Sequence, residues 1–231
     1  MNLHDSRTAG FGDLMSERET SPRRTPQGPS FRLECVAGCP PLPADRCRAI
    51  VRQAIVDAIG LARNAATALE SKPPSPETTR LFRAFFGHDP SRPVPWAGNR
   101  PSGQTVAYRY RRCAEELAGG RIVTYRCDTN CAPTTNAWTN AAQDPSLIML
   151  CPRFFNRPTG LPLGNQFFRA GVVLHEMLHL LFHQFFHHPG HPSGDPVRRR
   201  DNAHCYEAFA LRLAGHAAEP GDVSACWNQP A

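Results

Sequence analysis

The spacing of apolar residues divides the chain into a polar head, three helical segments, a β-rich stretch and two further helices. After Asp45, the apolar residues Ile50, Ala54, Ala58, Leu61, Ala65 and Leu69 recur at steps of three and four. That period predicts a helix reaching Glu70, with Asp45 as its N-cap. Ser71-Lys72-Pro73-Pro74 breaks it. Ser75 then caps a second helix, with Pro76 at its first position and Gly87 at its end. Residues 88–103 read as a proline- and glycine-rich loop, and a third helix runs from about Gly103 to Leu117, stopped by Gly119-Gly120. The character then changes to β. Arg121–Cys127 and Ser146–Cys151 read as strands, with a short one near Ala137-Trp138-Thr139 between them. Residues Asn165 to Phe186 are apolar on nearly all sides, the pattern of a buried helix. A last helix starts near Asp201, which can cap it, and runs to about Ala214, with Gly215 beyond its end.

The buried helix contains three residues that break its apolar character: His175, Glu176 and His179, in the order H-E-x-x-H. On a helix, residues four apart lie on one face, one turn above the other. Both imidazoles can therefore bind one metal ion, with Glu176 directed into the same cleft as a general base. The bland alternative is a hydrogen-bonded core histidine pair. Burial weighs against it, because two histidines and a carboxylate in an apolar helix are costly unless something satisfies them, and a metal does. A zinc ion, Zn2+, is the expected cofactor.

Composition adds bounds rather than chemistry. The chain has 231 residues, 41% hydrophobic, enough for one main domain. Residues 1–43 read as a weakly ordered tether and 44–231 as the folded domain, because Ser21-Pro22-Arg23-Arg24-Thr25-Pro26 is polar and proline-rich. The formal charge of +6 suits acidic partners, but no RNP, finger or helix-turn-helix pattern is present, so nucleic acid is not an expected partner. No apolar run is long enough to span a membrane or to form a conventional signal peptide. The 9 cysteines point instead to an oxidising destination and disulfides, and the two signs pull in opposite directions. Secretion or export by a route without such a signal, a truncated start, and a protein that stays inside are the alternatives, the first being the expectation. Cys35-x3-Cys39 and Cys127-x3-Cys131 lack the tight spacing of a zinc ribbon and rank below disulfides. The oligomeric state is not legible.

A catalytic zinc takes three protein ligands and keeps one position open. The third ligand should come from downstream of the buried helix. The candidates are His204, Asp201, Glu207 and Asp195. His204 is a neutral donor suited to zinc, and Glu207 lies one turn later on the same face. Asp201 has a competing role as cap, and Asp195 and His191 fall in a loop. His183 drifts away along the first helix, and His187 and His188 read as solvated.

Asn202-Ala203-His204-Cys205-Tyr206-Glu207-Ala208-Phe209-Ala210 resembles the N-A-D-S-Y-E-x-F-A helix of the deuterolysin and peptidyl-lysine metalloendopeptidase family, the aspzincins. Upstream, Thr124-Tyr125-Arg126-Cys127 with Cys131, then Leu147–Phe155, are similar to the family's cysteine-bearing strands. Arg80–Gly87 is similar to its aromatic-Phe-Gly helix end. The resemblance covers roughly residues 45–216. It implies an α+β fold, mainly helical and zincin-like, with a small β-sheet beside the H-E-x-x-H helix. It also implies a zinc metalloendopeptidase acting on protein or peptide substrates. The chain departs from the family pattern in three places. The G-T-x-x-D motif that supplies the family's third ligand is absent, as is the helical insert after it. His204 stands where the family has an aspartate. In lysine-specific members that aspartate and the following glutamate line the pocket for the substrate lysine, which implies substrate binding by Glu207. Tyr206 is the nearest candidate for the tyrosine that assists the transition state.

Three readings follow. The first is an endopeptidase in which zinc acidifies a water and Glu176 removes its proton. The second, motivated by the altered third ligand, is an inactive or structural zinc-binding module. The third is a delivered effector or toxin peptidase, with the same chemistry but another destination.

Overall fold

The computed structural model describes residues 29–34, 42–156, 165–182, 199–218, 223 and 226. His183, His187, His188, His191 and Asp195 lie outside them.

The first helix, α1 (Ala44–Glu70), buries Val51, Ala54, Ile55, Ala58, Leu61, Ala62, Ala65 and Leu69 along one stripe. Half of these are alanines, which let neighbouring helices approach closely. Asp45 is not its cap. The helix starts one residue earlier, after Pro43, and Asp45 sits in the first turn, where its charge favours the helix dipole. Helix α2 (Pro76–Phe86) has the expected ends: the Ser75 side chain accepts from Thr78 N at 3.0 Å, and Gly87 adopts φ 75°. Helix α3 (Ser102–Glu115) passes into a π-helical turn over Glu116–Gly120, where Gly119 reaches φ 125°.

The strands form one mixed sheet. Strands β1 (Phe31–Glu34), β4 (Val123–Cys127) and β6 (Leu147–Leu150) run parallel in that order, and β5 (Ala137–Trp138) adds antiparallel to β6. A separate two-residue ribbon pairs β2 (Pro93–Val94) with β3 (Arg100–Pro101). Within the stretch read as a tether, four residues pair with β4, from Phe31 opposite Val123 to Glu34 opposite Arg126. Phe31-Arg32-Leu33-Glu34 alternates apolar and polar, but four residues next to a polar, proline-rich stretch are too few to stand out as a strand.

Helix α4 (Pro152–Phe155) leads from the sheet toward α5 (Asn165–Phe182). Arg169 on α5 donates to the Phe154 and Phe155 carbonyls, both at 2.9 Å, and so fixes the start of α5 against the sheet. Helix α5 packs against α1, α3, edge strand β5 and α6 (Ala203–Leu213), which matches its apolar circumference. Helix α6 also packs on α2, where Phe82, Phe85 and Phe86 meet Phe209. The chain is thus α+β and mainly helical, with a small sheet beside the helix that carries the motif. Two disulfides, Cys131–Cys151 and Cys205–Cys226, close loops of about twenty residues. Each such cross-link contributes about 3 kcal/mol in the chain-entropy account. Among the described residues no helix is long and apolar enough to cross a membrane.

Candidate metal centre

Helix α5 delivers His175, Glu176 and His179 into the interior, where they are 6%, 5% and 9% exposed. The two histidines turn their Nε2 atoms toward each other at 3.2 Å. Two neutral imidazoles cannot meet there lone pair to lone pair; a proton or a cation must lie between them. A tetrahedral zinc with bonds of about 2.0–2.1 Å sets two ligand nitrogens about 3.3 Å apart. The observed separation fits that ion.

The other ring nitrogen of His175 is already committed. Its Nδ1 donates to Glu207 Oε2 at 3.1 Å. This fixes the tautomer and leaves Nε2 as the donor for a metal.

Helix α6 supplies the remaining groups. The Asn202 side chain caps it by accepting from His204 N at 3.0 Å. Asp201 was the expected cap. Its Oδ1 instead accepts from Arg109 Nη1 at 2.9 Å, so an ion pair with α3 outcompetes the cap and its neighbour takes that role. The His204 ring lies 4.5 Å from the His175 ring, centroid to centroid. Donor atoms of His175, His204 and Glu207 all fall within 4.8 Å of one another. His179 is outside that trio and reaches His175 from the opposite corner of the imidazole. Since Glu207 holds the Nδ1 corner, chemistry favours a metal at the Nε2 corner, shared by the two histidines of α5.

Glu176 has no cation beside it among the groups that shift it, and burial pushes its carboxyl up to about 8. Tyr206 sits elsewhere. It is fully buried, its hydroxyl accepts from Arg109 Nη1 at 3.0 Å, and its carbonyl accepts from the Tyr110 hydroxyl at 2.7 Å. It lies two residues past His204, more than half a helical turn round, so His204 and Glu207 face α5 while Tyr206 faces α3. This is the environment of a core tyrosine, and burial pushes its hydroxyl up to about 12.

Two contributors escaped the sequence reading. Arg109, 3% exposed, ties the middle of α3 to the start of α6 by also donating to the Arg200 carbonyl at 2.8 Å. Gly171, one turn before His175, faces Glu207: a Cβ there would meet Oε1 at 2.5 Å. A glycine inside a strongly helical segment was the available signal. A surface groove of about 1120 Å³, lined by Pro73, Pro90, Tyr108 and their neighbours, contains none of these groups.

Comparison with known proteins bears on the family and the fold. The family model for lysine-specific metallo-endopeptidases of the aspzincin type matches residues 75–210, more than half of the chain. No curated protein matches the sequence. Among solved structures, a zinc peptidase from Grifola frondosa superposes with a TM-score of 0.55 at 16% identity, covering 76% of this chain and 100% of that one. At that identity the likeness speaks for the fold.

Proposed function

The chain belongs to the aspzincin family of metalloendopeptidases, and on that premise we propose that it hydrolyses peptide bonds at a zinc held by His175, His179 and His204, with Glu176 as general base. The observation that carries the reading is the 3.2 Å approach of the two Nε2 atoms on one buried helix.

When bound, zinc supplies positive charge that acidifies water toward neutrality and polarises a carbonyl. The protein's residues do the rest. His175 and His179 offer neutral nitrogen donors from adjacent turns of α5. His204 approaches from α6, oriented by the Asn202 cap at the first turn of that helix. Glu176 takes the proton from the attacking water and returns it to the leaving amine. Burial raises its proton affinity in the metal-free protein, and the positive charge of a bound zinc would be what returns the carboxyl to its basic form near neutral pH. The substrate is a protein or peptide. The two disulfides favour an oxidising, extracellular destination.

Glu176→Gln tests the base. The variant should keep zinc and lose peptidase activity by about 10²–10⁴-fold. Wild-type turnover in that variant removes Glu176 from the mechanism.

A further inference from the structure

Glu207 is 3% exposed, on a face of α6 pressed against α5. Its Oε2 accepts from His175 Nδ1 at 3.1 Å. Its Oε1 projects over Gly171, where an added Cβ would lie 2.5 Å from that oxygen and 3.2 Å from both Cδ and Cγ. A side chain at position 171 would force the Glu207 carboxylate to shift from the place where it meets the imidazole. Gly171 has ordinary helical geometry, so backbone conformation does not demand glycine there. An alanine would favour the helix by about 1 kcal/mol, which makes space for the carboxylate the physical reason for glycine.

A carboxylate that receives a substrate's lysine must be reachable from the cleft. This one is enclosed between two helices and directed at a metal-ligand histidine. We propose that Glu207 is a positioning residue for the metal centre: its carboxylate holds His175 by Nδ1, and Gly171 provides the space that lets it do so. The inference rests on the reading of His175 and His179 as metal ligands. A histidine whose Nδ1–H is held this way keeps one tautomer and one ring orientation, and its Nε2 becomes a better donor. The arrangement links the two helices of the site by a hydrogen bond between residues 32 positions apart.

The test is a chelator-competition measurement of zinc affinity on the full chain, with thermal unfolding of the zinc-free proteins and separate kcat and KM on a peptide substrate. Glu207→Ala should weaken zinc binding by about 10–100-fold, the usual cost of losing such a partner. Glu207→Gln keeps an accepting oxygen and should lose less. Gly171→Ala should weaken zinc binding as Glu207→Ala does, because the new methyl displaces the carboxylate. The double variant should be no weaker than Glu207→Ala alone, since a small residue at 207 leaves room for the methyl; that non-additivity is the signature of shared space. If Glu207→Ala does not fold, Glu207→Gln and Gly171→Ala carry the test, and wild-type zinc affinity in both overturns the proposal. Unchanged zinc affinity with a raised KM in Glu207→Ala also overturns it, and makes Glu207 a substrate residue. A wild-type protein that takes up no zinc overturns the metal centre itself and this role with it.

Discussion

Helix α6 carries a buried polar cluster on each of two sides, and the two are built differently. On the side facing α3, Arg109 donates to the Tyr206 hydroxyl, the Asp201 carboxylate and the Arg200 carbonyl within 3.0 Å, and the Tyr110 hydroxyl donates to the Tyr206 carbonyl. Cation meets anion, and donors meet acceptors. On the side facing α5, Glu207 holds one corner of His175, while the other corner confronts the like nitrogen of His179 at 3.2 Å. In the first cluster each of these contacts joins a donor to an acceptor. In the second, one contact sets two like ring nitrogens together, which a shared proton satisfies or, in the proposed reading, a zinc ion would. Burial is similar in both, so burial alone does not mark a functional site; the arrangement of donors and acceptors does.

Substitutions should separate the clusters. The largest effect belongs to His179→Ala. Losing a ligand should weaken zinc binding by more than about 100-fold, beyond the cost of losing a supporting partner, and abolish peptidase activity. Equilibrium dialysis with zinc reads the first, and retained stoichiometric zinc would break the contrast. Next is Arg109→Met, which takes from Asp201 its hydrogen-bonded cation and leaves only Arg200 Nε, 3.8 Å from Oδ1, near that carboxylate. Breaking such a pair costs about 3–5 kcal/mol, and the lower end applies because the Asp201 side chain is 23% exposed. Denaturant unfolding measures the loss, while zinc affinity should stay close to wild type. A parallel fall in zinc affinity would mean that the two clusters act as one. The smallest effect is Tyr206→Phe, which removes one hydrogen bond to a charged donor and should cost about 1–2 kcal/mol with turnover unchanged. A tenfold drop in kcat without loss of stability would return Tyr206 to the catalytic machinery.

What the sequence discloses follows the range of the interactions. The stripe of α1, the Ser75 and Gly87 ends of α2, and the apolar circumference of α5 arise from residues within a few turns, and all are legible as period and punctuation. The H-E-x-x-H spacing is local too. The departures involve distant partners. Asp201 and Asn202 are adjacent, and either can cap α6; the choice falls to Asn202 because Arg109, 92 residues upstream, engages Asp201. Strand β1 exists because β4 offers an edge to it, not because its own four residues demand it. Glu207 reads from its motif as a substrate group and is found bonded to His175, across a helix interface that Gly171 keeps open. Tyr206 lies two residues from His204, but its direction is set by α3.

The central claim is that a zinc ion joins the two Nε2 atoms of α5 and takes its third ligand from α6. Anomalous diffraction at the zinc edge on zinc-loaded crystals tests it directly. The account predicts one ion bonded to nitrogens of His175, His179 and His204, with Glu176 close by but unbound and Glu207 still on His175 Nδ1. An ion bound without both histidines of α5, or one whose third ligand is a carboxylate in place of His204, would contradict it.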